Sequence, residues 1–377
     1  MRALRFRLST ALLVISVAAL ANGAVAQSGD PDVINLIEPI RLKHHLPALG
    51  AAVVTSRGVV ASGVTGVRKA NTDVDATIDD QWHLGSDTKA MTAVIIGTLV
   101  ERGKLNWETT LAEVFPDLTA TFPMEFRRIT IKQLLSHHAG LPANLNWLAM
   151  WAIEKSSPAF PEQRLKALQK AASTKLQSQP GTKFLYSNLG YTLAGAVAER
   201  VGGQSWEDLM REIVFNPLRM TSCGFGGLGT LGKIDQPWPH RENGKPMGKN
   251  GQAVDNPEFM GPAATVHCSI GDWAKFIADQ LRGERGEGAL LHAETYKTLH
   301  TAPYGDGVAL GWGTSSQEWA GGTVLQHTGS NTLNLCSAQL MLQRDFAILI
   351  VMNQAGDNAQ KAARDTMPAL IRLHDNR

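Results

Sequence analysis

The stretch "LGSDTKAMTA", residues 84–93, sets a serine, Ser86, one helical turn before a lysine, Lys89, at the head of an apolar segment. On a helix, positions i and i+3 share a face, so the two side chains meet. A serine hydroxyl is a weak nucleophile until a base takes its proton, and a lysine is such a base only when desolvation or a neighbouring charge lowers its pKa. The positive end of a helix favours an oxyanion forming beside Ser86. Taken alone, the same letters equally describe a capping serine followed by a solvated lysine. Met91, Val94, Ile95, Thr98 and Leu99 recur at helical spacing, which predicts a helix from Ser86 to Arg102 with one apolar face, stopped by Gly103. Ala90, Ala93 and Gly97 leave a side of small groups on which another element can sit closely.

Two later stretches supply partners for that pair. In "FLYSNLGY" (184–191) an extended lead-in turns Tyr186 and Asn188 to the same side. A phenol held near an ammonium ionises more easily and can carry protons between a serine and a leaving group. The Asn188 amide can hydrogen-bond a substrate carbonyl, cap the following helix, or do both. In "LQHTGSN" (325–331) a strand carries His327, Thr328, Gly329 and Ser330. Gly329 removes a side chain where a ligand would approach, and the Ser330 amide would share with the Ser86 amide a two-donor oxyanion hole. Read singly, His327 is an ordinary polar strand residue.

The ordered set S-x-x-K, Y-S-N and H-T-G resembles the serine β-lactamase and penicillin-binding-protein family, in the class C-like branch that also holds family VIII esterases and D-aminopeptidases. "LLSHHAGLP" (134–142) is similar to the family's "LLSHTSGLP" turn, and "YSNLGYTLAGAVAERVGG" (186–203) also fits; the likeness runs over roughly residues 32–370. It implies an α/β (α+β) fold, an antiparallel sheet flanked by terminal helices beside a mostly helical region. It implies an acyl-enzyme route, with Ser86 as nucleophile and with Lys89 and Tyr186 sharing general-base and general-acid roles. Asn188 would orient the acyl side chain, the Ser86 and Ser330 amides would hold the oxyanion, and water would release the product, with neither metal nor organic cofactor. The departure is His327, where β-lactamases and D,D-peptidases usually carry lysine. An unperturbed imidazole is mostly neutral at pH 7, so it anchors a substrate carboxylate less well. The chain therefore reads as a hydrolase of small esters or amides, of esterase or D-amino-acid peptidase type, ahead of a β-lactamase or D-alanyl-D-alanine carboxypeptidase. A reading of another class is a non-catalytic module that holds cell-wall peptides or a partner protein. A binder needs none of the proton chemistry of Ser86, Lys89, Tyr186 and Asn188.

The remaining sequence sets the frame. Arg2, Arg5 and Arg7 precede "ALLVISVAALANGAVA" and the small-x-small site Ala24-Val25-Ala26, the pattern of a secretory leader cleaved after Ala26. The expected location is periplasmic or secreted, with no stable membrane anchor after cleavage. Without residues 1–26 the chain has 33 basic and 34 acidic residues and no dense basic run, which argues against nucleic acid as a partner. Nothing in the sequence sets an oligomeric state. Cys223, Cys268 and Cys336 permit one disulfide at most, with the pairing open.

Residues 27–377 read as one catalytic unit: 27–85 and 255–377 carry the sheet, and 86–254 are mostly helical. "LGAAVVTSRGVVASGVTGVR" predicts a hairpin about Ser56-Arg57-Gly58, and three strands near the end are followed by a helix from about Asp357. "PEQRLKALQKAASTKL" (161–176) reads as an exposed helix, and 224–252 as an irregular surface excursion. "GFGGLG" (224–229) lacks the flanking strand and helix of a dinucleotide site. His44-His45 and His137-His138 lack the spacing of a helical zinc site and read as structural or surface residues, and no G-x-S-x-G elbow is present.

Overall fold

The computed structural model describes residues 29–156, 160–247 and 254–377. The leader assigned to residues 1–26 lies outside them. Strands β1 (Ala48–Thr55) and β2 (Gly58–Gly66) form the expected hairpin. Further along come β3 (Gln81–His83), β4 (Gly224–Phe225), β5 (Val266–Ser269), β6 (Gly313–Gln317), β7 (Gly322–Ser330), β8 (Leu335–Met341) and β9 (Phe346–Met352). The main sheet has the order β2-β1-β9-β8-β7-β6 and is antiparallel throughout. A small sheet, β3-β5-β4, lies beside it.

Strand β9 shows why the sheet is covered on both faces. Its sequence, FAILIVM, is apolar at every position, and every residue is buried. Side chains alternate along a strand. Phe346, Ile348, Ile350 and Met352 join one core with Val33 and Ile37 of helix α1 (Pro31–Lys43). Ala347, Leu349 and Val351 join the other core with the helical side of the molecule. The last helix, which will be called α8 (Asp357–Asp375), puts Ala359, Ala362 and Leu370 into the α1 side. A strand buried on both faces needs a continuous apolar run in place of alternation.

The opposite face carries α2 (Thr88–Glu101), α3 (Ile131–Leu135), α4 (Trp147–Glu154), α5 (Phe160–Ala172), α6 (Asn188–Gly202) and α7 (Ile270–Arg282). The one-sided face expected for the helix after Ser86 is corrected here. All residues of α2 from Thr88 to Leu99 are buried, so the helix runs through the core and not along its surface. It also begins later than expected, because Gly85–Asp87 form a separate tight turn before it. The small residues do admit neighbours: a Cβ on Gly311 would lie 2.9 Å from the Ala90 Cα, so the two backbones are in contact.

Two other expectations change. Helix α5 is not exposed: Gln163, Arg164, Ala167, Leu168, Ala171 and Ala172 are buried, and Arg164 pairs with Glu199 and Glu207. An ion pair inside the core requires both charges and their hydrogen bonds to be satisfied together, and amphipathic lettering alone does not show it. The excursion after residue 224 is anchored, with Trp238 and His240 buried and the Asn353 carbonyl 2.9 Å from His240 Nδ1. Residues 248–252 of that expected excursion lie outside the described ones. Cys223 and Cys268 form the disulfide, which ties the link before β4 to β5, and Cys336 is free and buried.

Candidate active site

Ser86 sits in the turn Gly85–Asp87, with Gly85 at φ +47°. Two side chains converge on its hydroxyl. Tyr186 Oη donates to Ser86 Oγ at 2.8 Å, and Lys89 Nζ lies 3.1 Å from the same oxygen. Lys89 is 0% exposed, and its nitrogen also donates to Asn188 Oδ1 at 2.8 Å and to the Ala263 carbonyl at 2.9 Å. A neutral amine has two N–H groups and one lone pair. The two carbonyl oxygens take both N–H groups, which leaves the lone pair for the proton of Ser86.

Remote parts of the chain build this geometry. Asn188 is the first residue of α6, while Ser187 caps the helix by accepting from the Gly190 amide. The proposed capping role for Asn188 is thus taken by its neighbour, and Asn188 is free to face Lys89. Its Nδ2 donates to Asn144 Oδ1 at 3.2 Å, which turns the carbonyl end toward the lysine. The Ala263 carbonyl arrives on the short helix Gly261–Ala264. That segment can approach because α6 carries Gly195, where a Cβ would be 2.1 Å from Pro262 Cγ. Thr92 of α2 donates to the Pro262 carbonyl at 2.7 Å and so fixes the same segment to the lysine's helix.

Burial sets the protonation states. It pushes the Lys89 ammonium down to about 7, opposed by the charge of Asp87. Tyr186 moves the other way from the easier ionisation expected: burial pushes its phenol up to about 12, and the Asp87 charge adds to the rise. Tyr186 therefore stays a donor at neutral pH, and Lys89 is the group that can release its proton.

The sequence reading did not single out Asp87, which is buried directly behind this pair. It occupies the N-cap position of α2 without capping the helix. Its Oδ2 instead accepts from Cys336 Sγ at 3.1 Å. Burial raises its carboxyl to about 7, with Cys336 and Lys89 pulling it down. His327 Nδ1 stands 3.9 Å from that same Oδ2. Burial, then the Lys89 charge, pushes the His327 imidazole down to about 3, so it is neutral at pH 7. His137, assigned above as structural or surface, also belongs here. Its Nδ1 accepts from the Ser187 amide at 3.0 Å, and its ring lies 4.5 Å from that of Tyr186.

Gly329 has a different job from the one expected. A Cβ there would lie 1.9 Å from the Leu84 carbonyl oxygen, 2.6 Å from Asp87 Oδ2 and 2.7 Å from Cys336 Sγ. Leu84, Asp87 and Cys336, packed around the Ser86 turn, occupy the space, not a ligand. On the other side, a Cβ on Gly85 would be 2.4 Å from the Ser330 nitrogen, so the turn and β7 pack backbone to backbone. Gly329→Ala is expected to destabilise the fold by about 3 kcal/mol through overpacking and to lower turnover by displacing the turn. Urea midpoints and ester hydrolysis check this, and unchanged values for both contradict it.

Beside Tyr186, which donates to Ser86 Oγ, opens a cleft of about 380 Å³. His137, Phe184, Tyr186, Val308, Trp312, His327 and Thr328 are among its lining residues, and among the described residues no lysine or arginine lines it. A larger groove, of about 560 Å³, runs between α4 and α5 and includes none of the residues singled out above. Ser86, Lys89, Tyr186 and Asn188 thus come together, His327 and Thr328 form a wall, and Gly329 and Ser330 contribute backbone.

Comparison with known proteins follows the same outline. Protein flp of Staphylococcus aureus strain COL is 25% identical over 327 residues, 84% of this chain and 62% of the relative; the chain spans less than two thirds of that relative's length. Penicillin-binding protein 4 of Amycolatopsis lactamdurans is 28% identical over 318 residues, covering 78% of this chain and 77% of its own. Two solved structures share the fold. The octameric penicillin-binding protein homologue from Pyrococcus abyssi has a TM-score of 0.70 at 21% identity, over 91% of this chain and 77% of that one. D-alanine carboxypeptidase AmpC from Burkholderia cenocepacia has a TM-score of 0.69 at 17% identity, over 89% and 97%. The family profile described as Beta-lactamase matches residues 30–371, from the first helix into the last, and the chain belongs to that family.

Proposed function

We propose that the protein is an exported serine hydrolase that acts on small, uncharged esters or amides through an acyl-enzyme on Ser86. The observation that carries this reading is the hydrogen-bond count at Lys89: two carbonyl acceptors and one serine hydroxyl around a buried amine. Ser86 Oγ attacks the substrate carbonyl carbon as its proton passes to the Lys89 lone pair. The carbonyl oxygen becomes an oxyanion between the Ser86 and Ser330 amides. Collapse breaks the bond to the leaving group, which takes a proton through Lys89 and Tyr186. Water then attacks the acyl carbon, and Ser86 recovers its proton. Asn188 holds Lys89 in place through its Oδ1, while its Nδ2 is tied to Asn144. Export is supported by the leader pattern in residues 1–26 and by the Cys223–Cys268 disulfide, a bond favoured in oxidising compartments.

The preference for uncharged substrates rests on the neutral His327 and on a cleft wall that, among the described residues, has no lysine or arginine. The relative named penicillin-binding protein 4 favours a second reading, hydrolysis of a β-lactam or a D-alanyl peptide. Parallel assays with a short-chain p-nitrophenyl ester, a chromogenic cephalosporin and a D-alanyl-D-alanine peptide separate the two. The ester is expected to have the largest kcat/KM. A larger value for either carboxylate-bearing substrate favours the second reading, and no turnover of any of them with an unreactive Ser86 favours a binding module.

His327→Lys places a charged donor where the neutral imidazole stands. A charge-assisted hydrogen bond is worth about 2 kcal/mol, so the ratio of cephalosporin to ester kcat/KM is expected to rise by roughly tenfold or more. An unchanged ratio in a folded variant contradicts the role given to His327.

A further inference from the structure

His83, Asp255 and Asn331 form a buried series of polar side chains that takes no part in the proton transfers above. His83 ends β3, Asp255 precedes the turn Glu258–Met260, and Asn331 opens the link between β7 and β8. The Gly85 amide donates to His83 Nδ1 at 3.0 Å. That nitrogen therefore carries no proton, and the ring proton sits on Nε2. His83 Nε2 lies 2.8 Å from Asp255 Oδ1, with the two side chains 1% and 6% exposed. Among the described residues it has no aligned hydrogen-bond partner, so the carboxylate is where its buried proton can go. Asp255 Oδ1 also accepts from Asn331 Nδ2 at 3.2 Å. Asn331 is itself fixed, because its Oδ1 accepts from the Asn334 amide at 3.0 Å.

The two ends of this series matter more than its middle. Gly85 immediately precedes Ser86, and Asn331 immediately follows Ser330. Each backbone amide given to the oxyanion thus lies one residue from a group tied to Asp255. An oxyanion hole works only when its donors are already spaced for the tetrahedral oxygen, and small displacements are costly. We propose that Asp255 is a positioning residue for acylation, which holds the Ser86 and Ser330 amides at their working separation through His83 on one side and Asn331 on the other. This rests on the serine-hydrolase reading above.

Asp255→Ala and Asp255→Asn, made in the full mature chain, test it. The alanine variant removes both contacts and is expected to lower kcat for the ester by about 10- to 100-fold. KM should stay within about twofold, since ground-state binding is not the target. Affinity for a boronic acid that forms a tetrahedral adduct should fall in parallel with kcat. Asparagine keeps an Oδ1 that can accept from both His83 and Asn331, so Asp255→Asn is expected to recover most of kcat. A merely structural role would lower the melting temperature without this kcat-against-KM split or the rescue. The proposal is overturned if folded Asp255→Ala keeps wild-type kcat, or if alanine and asparagine lose kcat equally. Should Asp255→Ala fail to fold, Asn331→Ala must show the same selective loss of kcat, and a normal kcat there overturns the proposal. Fluorophosphonate labelling of the wild type distinguishes the two levels: a labelled Ser86 with unaffected Asp255 variants rejects only this positioning role, and an unreactive Ser86 rejects the hydrolase reading with it.

Discussion

Ser86→Ala lowers kcat/KM for a short-chain ester by roughly 10⁴-fold or more, while the variant unfolds at nearly the wild-type temperature. The size follows from the covalent route: without Oγ there is no atom to accept the acyl group, and only weak catalysis by binding and oxyanion contacts is left. The small effect on stability follows from the surroundings. Ser86 Oγ is held by Tyr186 and Lys89, whose other contacts survive its loss, since Lys89 still donates to Asn188 and Ala263. Activity within a few fold of wild type in the purified variant would remove Ser86 as the nucleophile.

Lys89→Met is the second large effect. Methionine fills similar space without charge, so the core should pack while the base is gone. The expected loss in kcat/KM is about 10³-fold. In the wild type, kcat/KM should rise by about tenfold per pH unit on the acid side of pH 7 and level off above it, because burial holds the Lys89 ammonium near 7 and only the free amine accepts the serine proton. Asp87, raised to about 7 itself, ionises in the same window. Stability carries a matching signature. Lys89 ionises near 7 in the folded chain against 10.5 for a free lysine, so between those values the unfolded chain binds more protons. Stability should therefore rise with pH across that window, and the Lys89 share of the rise should be missing in Lys89→Met. A pH–rate profile that is flat from 5 to 9, or a methionine variant with near-normal activity, contradicts the role of Lys89.

Much of this arrangement is legible in the letters because it rests on period and order. FAILIVM announces one of the terminal strands, and Ser56-Arg57-Gly58 announces a hairpin. Ser86, Lys89, Tyr186 and Asn188 are found by motif, and the structure brings them within hydrogen-bond reach. What the letters do not show comes from contacts across long separations. The Ala263 carbonyl is an acceptor for Lys89 with no side chain to advertise it. Asp87 passes without notice between Ser86 and Lys89, and only the packing of β8 behind it reveals that its partner is Cys336. Gly329 looked like room for a ligand because sequence cannot say which backbone fills the gap. The direction of the Tyr186 shift depends on burial, and proximity to an ammonium gave the wrong sign. Helix α2 shows one apolar stripe in its spacing, yet its threonines and its lysine are buried too: Thr88, Lys89 and Thr92 find hydrogen-bond partners on other parts of the chain, and Thr98 donates back to the Val94 carbonyl.

The most direct test is the mass of the protein itself during turnover. Mature wild-type chain is mixed with a slowly hydrolysed p-nitrophenyl ester, quenched in acid within the first turnovers, digested, and analysed by mass spectrometry. The account predicts one acyl group added to the peptide that contains Ser86, absent from Ser86→Ala and cleared as the substrate is exhausted. Turnover with that peptide unmodified, or an acyl group on any other residue, contradicts it.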